Sequence, residues 1–172
     1  MKTKYNIALL PTSKAPEFVK LSKEFSHIAD NYLLGDHSFP HVTLYHFEAD
    51  ESGIDDIWKR VCKVWDGKLI ELLFSDFSCI TFDNKMYWVS LLPNSRDILH
   101  EFHVEIADVI KLPIKQSFDP HLTLINTKNK DYEKEVDRLS KSYISIGDTF
   151  ILSIGKADVI GQLTEVIYRY ES

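Results

Sequence analysis

The chain has 172 residues and a formal net charge of −6. This length suits one domain, or two small lobes that share an interface. Apolar residues make up 44% and charged residues 27%, which is the balance of a soluble globular protein. The negative charge argues against the broad basic surface that long double-stranded nucleic acid requires, but it leaves room for a small cationic pocket.

Cysteine content and hydrophobicity indicate a cytoplasmic protein. Cys62 and Cys79 are the only cysteines, too far apart for a local metal knuckle and too few for a disulfide framework. The N-terminal segment 1–14 has no signal-peptide cleavage pattern and is predicted to be a strand. No apolar run approaches the ~20 residues that span a bilayer. We therefore expect a monomer in the cytoplasm with no membrane attachment.

The first half of the chain predicts strand, helix, strand, helix, strand. Pro16 suits the first turn of a helix, and apolar residues then recur every three or four positions until Gly35, a plausible helix end. A second amphipathic pattern ends at Gly67. The predicted helices lie between residues 16 and 35 and between 54 and 67, and the predicted strands cover 5–10, 41–47 and 69–82.

The second half predicts the same order of elements. Ser95 or Asn94 can cap its first helix. Two last strands are expected to join at a turn near Gly155. The predicted strands cover residues 86–92, 121–127, 143–154 and 157–170, and the predicted helices end at 110 and cover 131–142.

This repetition predicts an α+β fold made of two pseudo-symmetric lobes. Each lobe would be an antiparallel sheet with helices outside, and the two would flank a central cleft. The whole chain, 1–172, is expected to be a single domain. Its lobes would span approximately 1–83 and 84–172, and an exchange of strands between them is left open.

Two similar segments carry the chemistry. PHVTLYHF contains His41 and Thr43, and PHLTLINT contains His121 and Thr123. Side chains alternate between the faces of a strand, so each segment presents an imidazole and a hydroxyl side by side. A single His-x-Thr is common in strands, but two copies share Pro, His, aliphatic, Thr and Leu in five consecutive positions. This agreement predicts a duplicated active-site element.

The paired residues suit phosphoryl transfer. A neutral imidazole can accept a proton from an attacking hydroxyl or water, and a protonated imidazole can give one to the leaving oxygen. Each threonine can donate a hydrogen bond to a non-bridging phosphate oxygen. This scheme needs no metal and no cofactor, and it predicts a bell-shaped pH–rate profile in which either histidine could be the base.

The motifs resemble those of the 2H phosphoesterase superfamily, which includes the 2′-5′ RNA ligase-like proteins and cyclic nucleotide phosphodiesterases. The hallmark of that family is two copies of His-hydrophobic-Thr/Ser-hydrophobic, and both copies are complete in this chain. The resemblance implies that His41, Thr43, His121 and Thr123 form the active site in a cleft between two lobes. It also implies a nucleotide or short oligonucleotide substrate.

Other residues are weaker candidates. Strand alternation places Tyr45 on the face of Thr43, where it could contact substrate, and places His46 on the opposite face. Tyr87 is a candidate for stacking on a base. His100 and His103 are expected to be solvated on a helix surface. Cations for the phosphate could come from Lys85, Arg96, Lys115 or Lys156.

The sequence thus predicts a metal-independent phosphodiesterase that acts on a 2′,3′-cyclic, 2′-5′-linked or cyclic oligonucleotide phosphodiester. Within this class, an enzyme of defence or counter-defence that destroys a nucleotide signal is a distinct hypothesis. The alternative is a non-catalytic module, a sensor or sponge, that binds nucleotides or RNA ends. Two intact histidines favour the enzyme, because binding alone does not need two titrating groups.

Overall fold

The structure, a computed structural model, describes residues 2–171. Its helices are α1 (Ala15–Lys23), α2 (Ile54–Trp65), α3 (Arg96–Ile110) and α4 (Tyr132–Ser140). Its strands are β1 (Thr3–Pro11), β2 (Val42–Ala49), β3 (Ile70–Thr81), β4 (Tyr87–Pro93), β5 (Leu122–Thr127), β6 (Ile146–Ala157) and β7 (Leu163–Arg169). No helix in this range is long and apolar enough to cross a bilayer.

All strands pair antiparallel, in the order β2-β1-β6-β3-β4-β5, with β7 on β6. The third strand of each repeat therefore lies in the sheet of the other half: β3 adjoins β4, and β6 adjoins β1. The pairing of β3 with β6 joins the two halves. The predicted α+β fold of two pseudo-symmetric antiparallel halves with outer helices is confirmed.

One face of the sheet forms the main core with the helices. Ile7 and Leu9 on β1 are fully buried in it, and Phe18 of α1 meets the rings of Phe74 and Phe150 edge-on. The alternate side chains of β1 point to the other face, where Ala8 and Leu10 form a separate small cluster with Leu163 of β7. The second face is the one that carries the motif side chains.

Helix α1 is shorter than the sequence predicted. It ends at Lys23, and the chain continues through turns to an isolated bridge between Leu33 and Ile125. The amide of Leu34 donates to the carbonyl of Leu124 (2.9 Å), so the edge of β5 supplies hydrogen bonds that a longer helix would have made internally. The apolar side chains of this segment are nevertheless buried, which is why their spacing imitated a helix.

The predicted turn near Gly155 is wrong, because β6 runs through it to Ala157. The turn lies at residues 158–162, where the Asp158 carboxylate accepts hydrogen bonds from the amides of Ile160 (3.0 Å) and Gln162 (2.8 Å). Gly155 is instead required by a close approach: a Cβ at this position would lie 1.9 Å from the carbonyl oxygen of Glu165 on β7.

Substituting Gly155→Ala should therefore displace β7 and lower the free energy of unfolding by about 1–3 kcal/mol, as overpacking does elsewhere. Chemical denaturation would measure the change. Gly53→Ala is the matched control, since a Cβ there meets nothing within 4 Å. Gly53 directly precedes α2, so its substitution changes a helix cap and should lower the free energy of unfolding by less than about 1 kcal/mol. Equal stabilities for the two variants would contradict the close-approach explanation.

Candidate active site

A β-bulge controls which side chains of β2 reach the motif face. Thr43 pairs with Ala8, but Tyr45 pairs with Ile7, so one extra residue, Leu44, is inserted in β2. Ala8 and Ile7 point to opposite faces of β1, and therefore Thr43 and Tyr45 do as well. The bulge reverses the alternation that the sequence predicted for everything after Thr43.

His46 consequently lies on the motif face, opposite to the sequence prediction. It pairs with Asn6, and its Nε2–H donates to the carbonyl of Gly161 (2.7 Å). Burial, followed by smaller effects that include nearby cationic groups, lowers the pKa of His46 to about 4, so the ring is neutral near pH 7. Strand alternation could not reveal this third histidine, because the bulge depends on pairing with β1.

The two tyrosines lie on the opposite face. Tyr45 stacks on His103 of α3, with ring centroids 5.2 Å apart, and its hydroxyl donates to the carbonyl of Pro113 (2.6 Å). Tyr87 stacks on Tyr132 of α4 at 4.6 Å. The prediction that Tyr45 shares the face of Thr43 is thus wrong, although Tyr45 does line the cavity described below. The structure does not bring Tyr87 to the His–Thr pairs.

The two motif histidines are oriented by the same local hydrogen bond. Nδ1–H of His41 donates to the carbonyl of Phe39, and Nδ1–H of His121 donates to the carbonyl of Asp119, both at 2.7 Å. A carbonyl only accepts, so these bonds fix the proton on Nδ1. Nε2 is left in both rings as the nitrogen that can accept or donate a proton.

Different contacts hold the two residues, Phe39 and Asp119, whose carbonyls orient the histidines. The amide of Phe39 donates to the carbonyl of Leu163 (3.0 Å), so β7 secures the segment before His41. On the other side, the Arg96 side chain forms an ion pair with the carboxylate of Asp119. One histidine is therefore oriented through the last hairpin and the other through the first turn of α3.

The two histidines also differ in burial. His41 is only 5% exposed, and burial lowers its pKa to about 4 even though the hydrogen bond to Phe39 favours the charged form. Positive charge on His46 or His121 would oppose its protonation as well. His121 is less buried and lines an open cavity. His41 is thus a neutral imidazole near pH 7.

The motif threonines are placed beside the histidines on the same face. Asn6 Nδ2 donates to Thr43 Oγ1 (3.0 Å), so the hydroxyl proton of Thr43 is free to be donated to a ligand. Thr123 pairs with Ser90 of β4, and this pairing is equivalent to the pairing of Thr43 with Ala8 of β1. Each histidine therefore has a hydroxyl next to it in an equivalent frame.

A cavity of about 370 Å³ opens at this face. Thr43, His46 and His121 line it, together with Lys115 and Phe118. Its volume is in the range of small-molecule sites. The cavity thus joins residues of both halves of the chain, but His41 and Thr123 are not among its lining residues.

An aromatic stack forms one wall of this cavity. His103 lies between Tyr45 and Phe118, 4.2 Å from the Phe118 ring and almost parallel to it. Its Nδ1–H donates to the carbonyl of Leu44 (2.8 Å), and its Nε2 accepts from the amide of Lys115 (3.0 Å). The expectation of a solvated His103 is wrong, since the residue is 1% exposed.

Within residues 2–171, no group of three or more His, Cys, Asp or Glu side chains could hold a metal ion. Of the four basic residues that the sequence offered for binding phosphate, three do not line the cavity. Arg96 is paired with Asp119, Lys156 lies near Glu51 and Glu165, and Lys85 belongs to the β3–β4 turn. Lys115 is the basic candidate that the structure places at the site.

No protein-family model matches this sequence, and no curated protein matches it. Solved structures do resemble it. E. coli LigT complexed with 3′-AMP superposes with a TM-score of 0.61 at 13% identity, over 99% of this chain and 98% of LigT. LigT in its apo form gives a TM-score of 0.57 at 12% identity, over 98% of this chain and 96% of LigT.

Usb1 of Kluyveromyces marxianus with uridine monophosphate gives a TM-score of 0.53 at 14% identity, over 96% of both chains. These similarities extend over almost the full length of each protein, so they concern the whole architecture and not one lobe. At such low identity they establish the fold. The chain therefore has the same fold as LigT.

Proposed function

We propose that this protein is a metal-independent phosphodiesterase that cleaves a 2′,3′-cyclic, 2′-5′-linked or cyclic oligonucleotide phosphodiester. The observation that carries the proposal is the paired orientation of His41 and His121. Each ring has its Nδ1–H bound to the carbonyl two residues earlier, which leaves Nε2 for proton transfer, and each has a threonine hydroxyl beside it. An acid and a base on either side of a phosphate is what phosphodiester cleavage needs.

In this mechanism the difference in burial assigns the roles. His41 is neutral near pH 7 and acts as the general base: its Nε2 takes the proton of a water or a ribose hydroxyl as that oxygen bonds to phosphorus. His121, which faces the open cavity, gives its Nε2 proton to the leaving oxygen as the P–O bond breaks. Thr43 and Thr123 donate to the non-bridging oxygens and stabilise their negative charge.

A nucleotide is the substrate class that fits the rest of the cavity. The partly exposed ring of Phe118 offers a face for a base, and stacking of a base on an aromatic ring is worth about 1–3 kcal/mol. Two of the structures that share the fold were solved with 3′-AMP and uridine monophosphate. An apolar wall beside two histidines therefore supports a nucleoside next to the reacting phosphate.

His41→Ala and His121→Ala should each lower kcat by about 10²–10⁴-fold, the usual contribution of a general acid or base. The measurement is a turnover screen with EDTA present, using 2′,3′-cyclic mononucleotides, 2′-5′ oligoadenylate, cyclic di- and trinucleotides, and RNA with a cyclic phosphate end. His27→Ala is the matched control, because this exposed histidine lies beside Glu135, outside the cavity.

Loss of wild-type activity on addition of EDTA would contradict the metal-free mechanism. Binding of some of these compounds with turnover of none would instead favour a nucleotide-binding module. Equal effects of the His27→Ala and His41→Ala substitutions would remove the assignment of His41 as a catalytic residue. Circular dichroism of each variant separates lost chemistry from lost folding.

The pH dependence of kcat/KM should reveal the assigned roles. His41 must be neutral to act as a base, so kcat/KM should fall as the pH drops through about 4, the pKa of this ring in the free enzyme. A nitrophenyl ester has a leaving group that needs no acid, so its cleavage should keep the acid limb in wild type and in His121→Ala alike.

An acid limb at pH 6 or above that persists in His121→Ala would overturn the assignment of His41 as the base. Stability must be followed in parallel. His41 and His46 have folded-state pKa values near 4, below the ordinary 6.5, so the unfolded chain binds more protons in this window. The free energy of unfolding therefore decreases as the pH falls from about 6.5 towards 4, and each rate needs a check that the enzyme is folded.

A further inference from the structure

Lys115 is held at the rim of the cavity by three contacts. Its Nζ donates to the carbonyl of His46 (2.9 Å) and lies 4.8 Å from the centroid of the Tyr45 ring. Its amide donates to Nε2 of His103. The ammonium group is thus fixed beside β2, three residues along the strand from Thr43.

The charge of this ammonium is not matched by a carboxylate among residues 2–171. The carboxylate of the cavity wall, Asp119, is engaged by Arg96. The polar contact of Nζ is a neutral carbonyl, and burial lowers the pKa of Lys115. A cation held in a cavity wall without a carboxylate partner gains from binding an anion.

The position of Lys115 relative to the proposed acid suggests which anion this is. The segment 115–121 lines the cavity with Lys115 at one end, Phe118 in the middle and His121 at the other end. Thr43 and His46 pair with Ala8 and Asn6, which are two residues apart on β1, so the step between them corresponds to about 7 Å of strand. A nucleoside against Phe118 would therefore separate a phosphate at His121 from a second anionic group at Lys115.

We propose that Lys115 binds a second phosphate group, attached to the 5′ oxygen of the nucleoside whose 2′ or 3′ phosphate lies between the two histidines. The preferred substrate is then a 5′-phosphorylated nucleotide or an internal position of an oligonucleotide, and not a mononucleoside cyclic phosphate. The inference rests on the proposed function, because it takes the histidine pair as the site of the reacting phosphate.

Calorimetric titration of product-like ligands tests this without requiring turnover. The ligands are adenosine 2′- and 3′-monophosphate and the corresponding 2′,5′- and 3′,5′-bisphosphates. Wild type should bind the better bisphosphate about 10–100-fold more tightly than its monophosphate, as expected for a charge-assisted hydrogen bond. Lys115→Met should remove this preference while keeping the affinity for the monophosphate.

Lys59→Met is the matched control, because Lys59 is exposed on α2 and does not line the cavity. It should keep the wild-type preference, which excludes a general effect of one lost charge. Equal affinities of wild type for mono- and bisphosphates would overturn the proposal. An equal loss of affinity for both in Lys115→Met would overturn it as well, since Lys115 would then contact the reacting phosphate.

Failure of the turnover screen would leave these affinities unaffected and would count against the proposed catalysis alone. Conversely, an active enzyme without the bisphosphate preference would count against Lys115 alone. The two proposals are therefore tested separately, the first by kcat of the histidine variants and the second by the ratio of two dissociation constants.

Discussion

The antiparallel pairing of β3 with β6 is the contact on which the site depends. It joins a three-stranded unit, β2-β1-β6, to a second one, β5-β4-β3, and each unit contains one strand from the other half of the sequence. The motif strands β2 and β5 end up at opposite ends of this order. Residues of β2 nevertheless line one cavity together with His121, which immediately precedes β5, so the sheet must curve between its two edges.

The duplication preserves local geometry but not environment. Both motif histidines donate to the carbonyl two residues earlier, a contact that the Pro-His segment makes by itself. Strand β7, the second strand of the last hairpin, has no counterpart in the other half of the described residues. It covers the side of the sheet that carries Ala8, and it contacts the segment before His41. Two copies of one motif thereby acquire different burial, and in the proposed mechanism this difference separates the base from the acid.

The net charge of −6 does not describe the cavity. Its wall contains the ammonium group of Lys115, and the carboxylate of Asp119 in the same wall is neutralised by Arg96. A small cationic pocket in an acidic protein favours short anionic ligands over long nucleic acid, because counterion release from a long duplex needs many surface cations. The stack of Tyr45, His103 and Phe118 adds an apolar wall to that pocket.

The sequence by itself determined the α+β architecture and located the two His–Thr pairs, because strand and helix periodicity and a five-residue repeat are local properties. Tertiary structure decided what local alternation could not. The register with β1 inserts a bulge at Leu44, which turns Tyr45 towards His103 and turns His46 to the face of Thr43. Packing of α3 on β2 buries His103, and hydrogen bonds to β5 end α1 early. Each of these outcomes depends on partners distant in the chain, so no single segment encodes it.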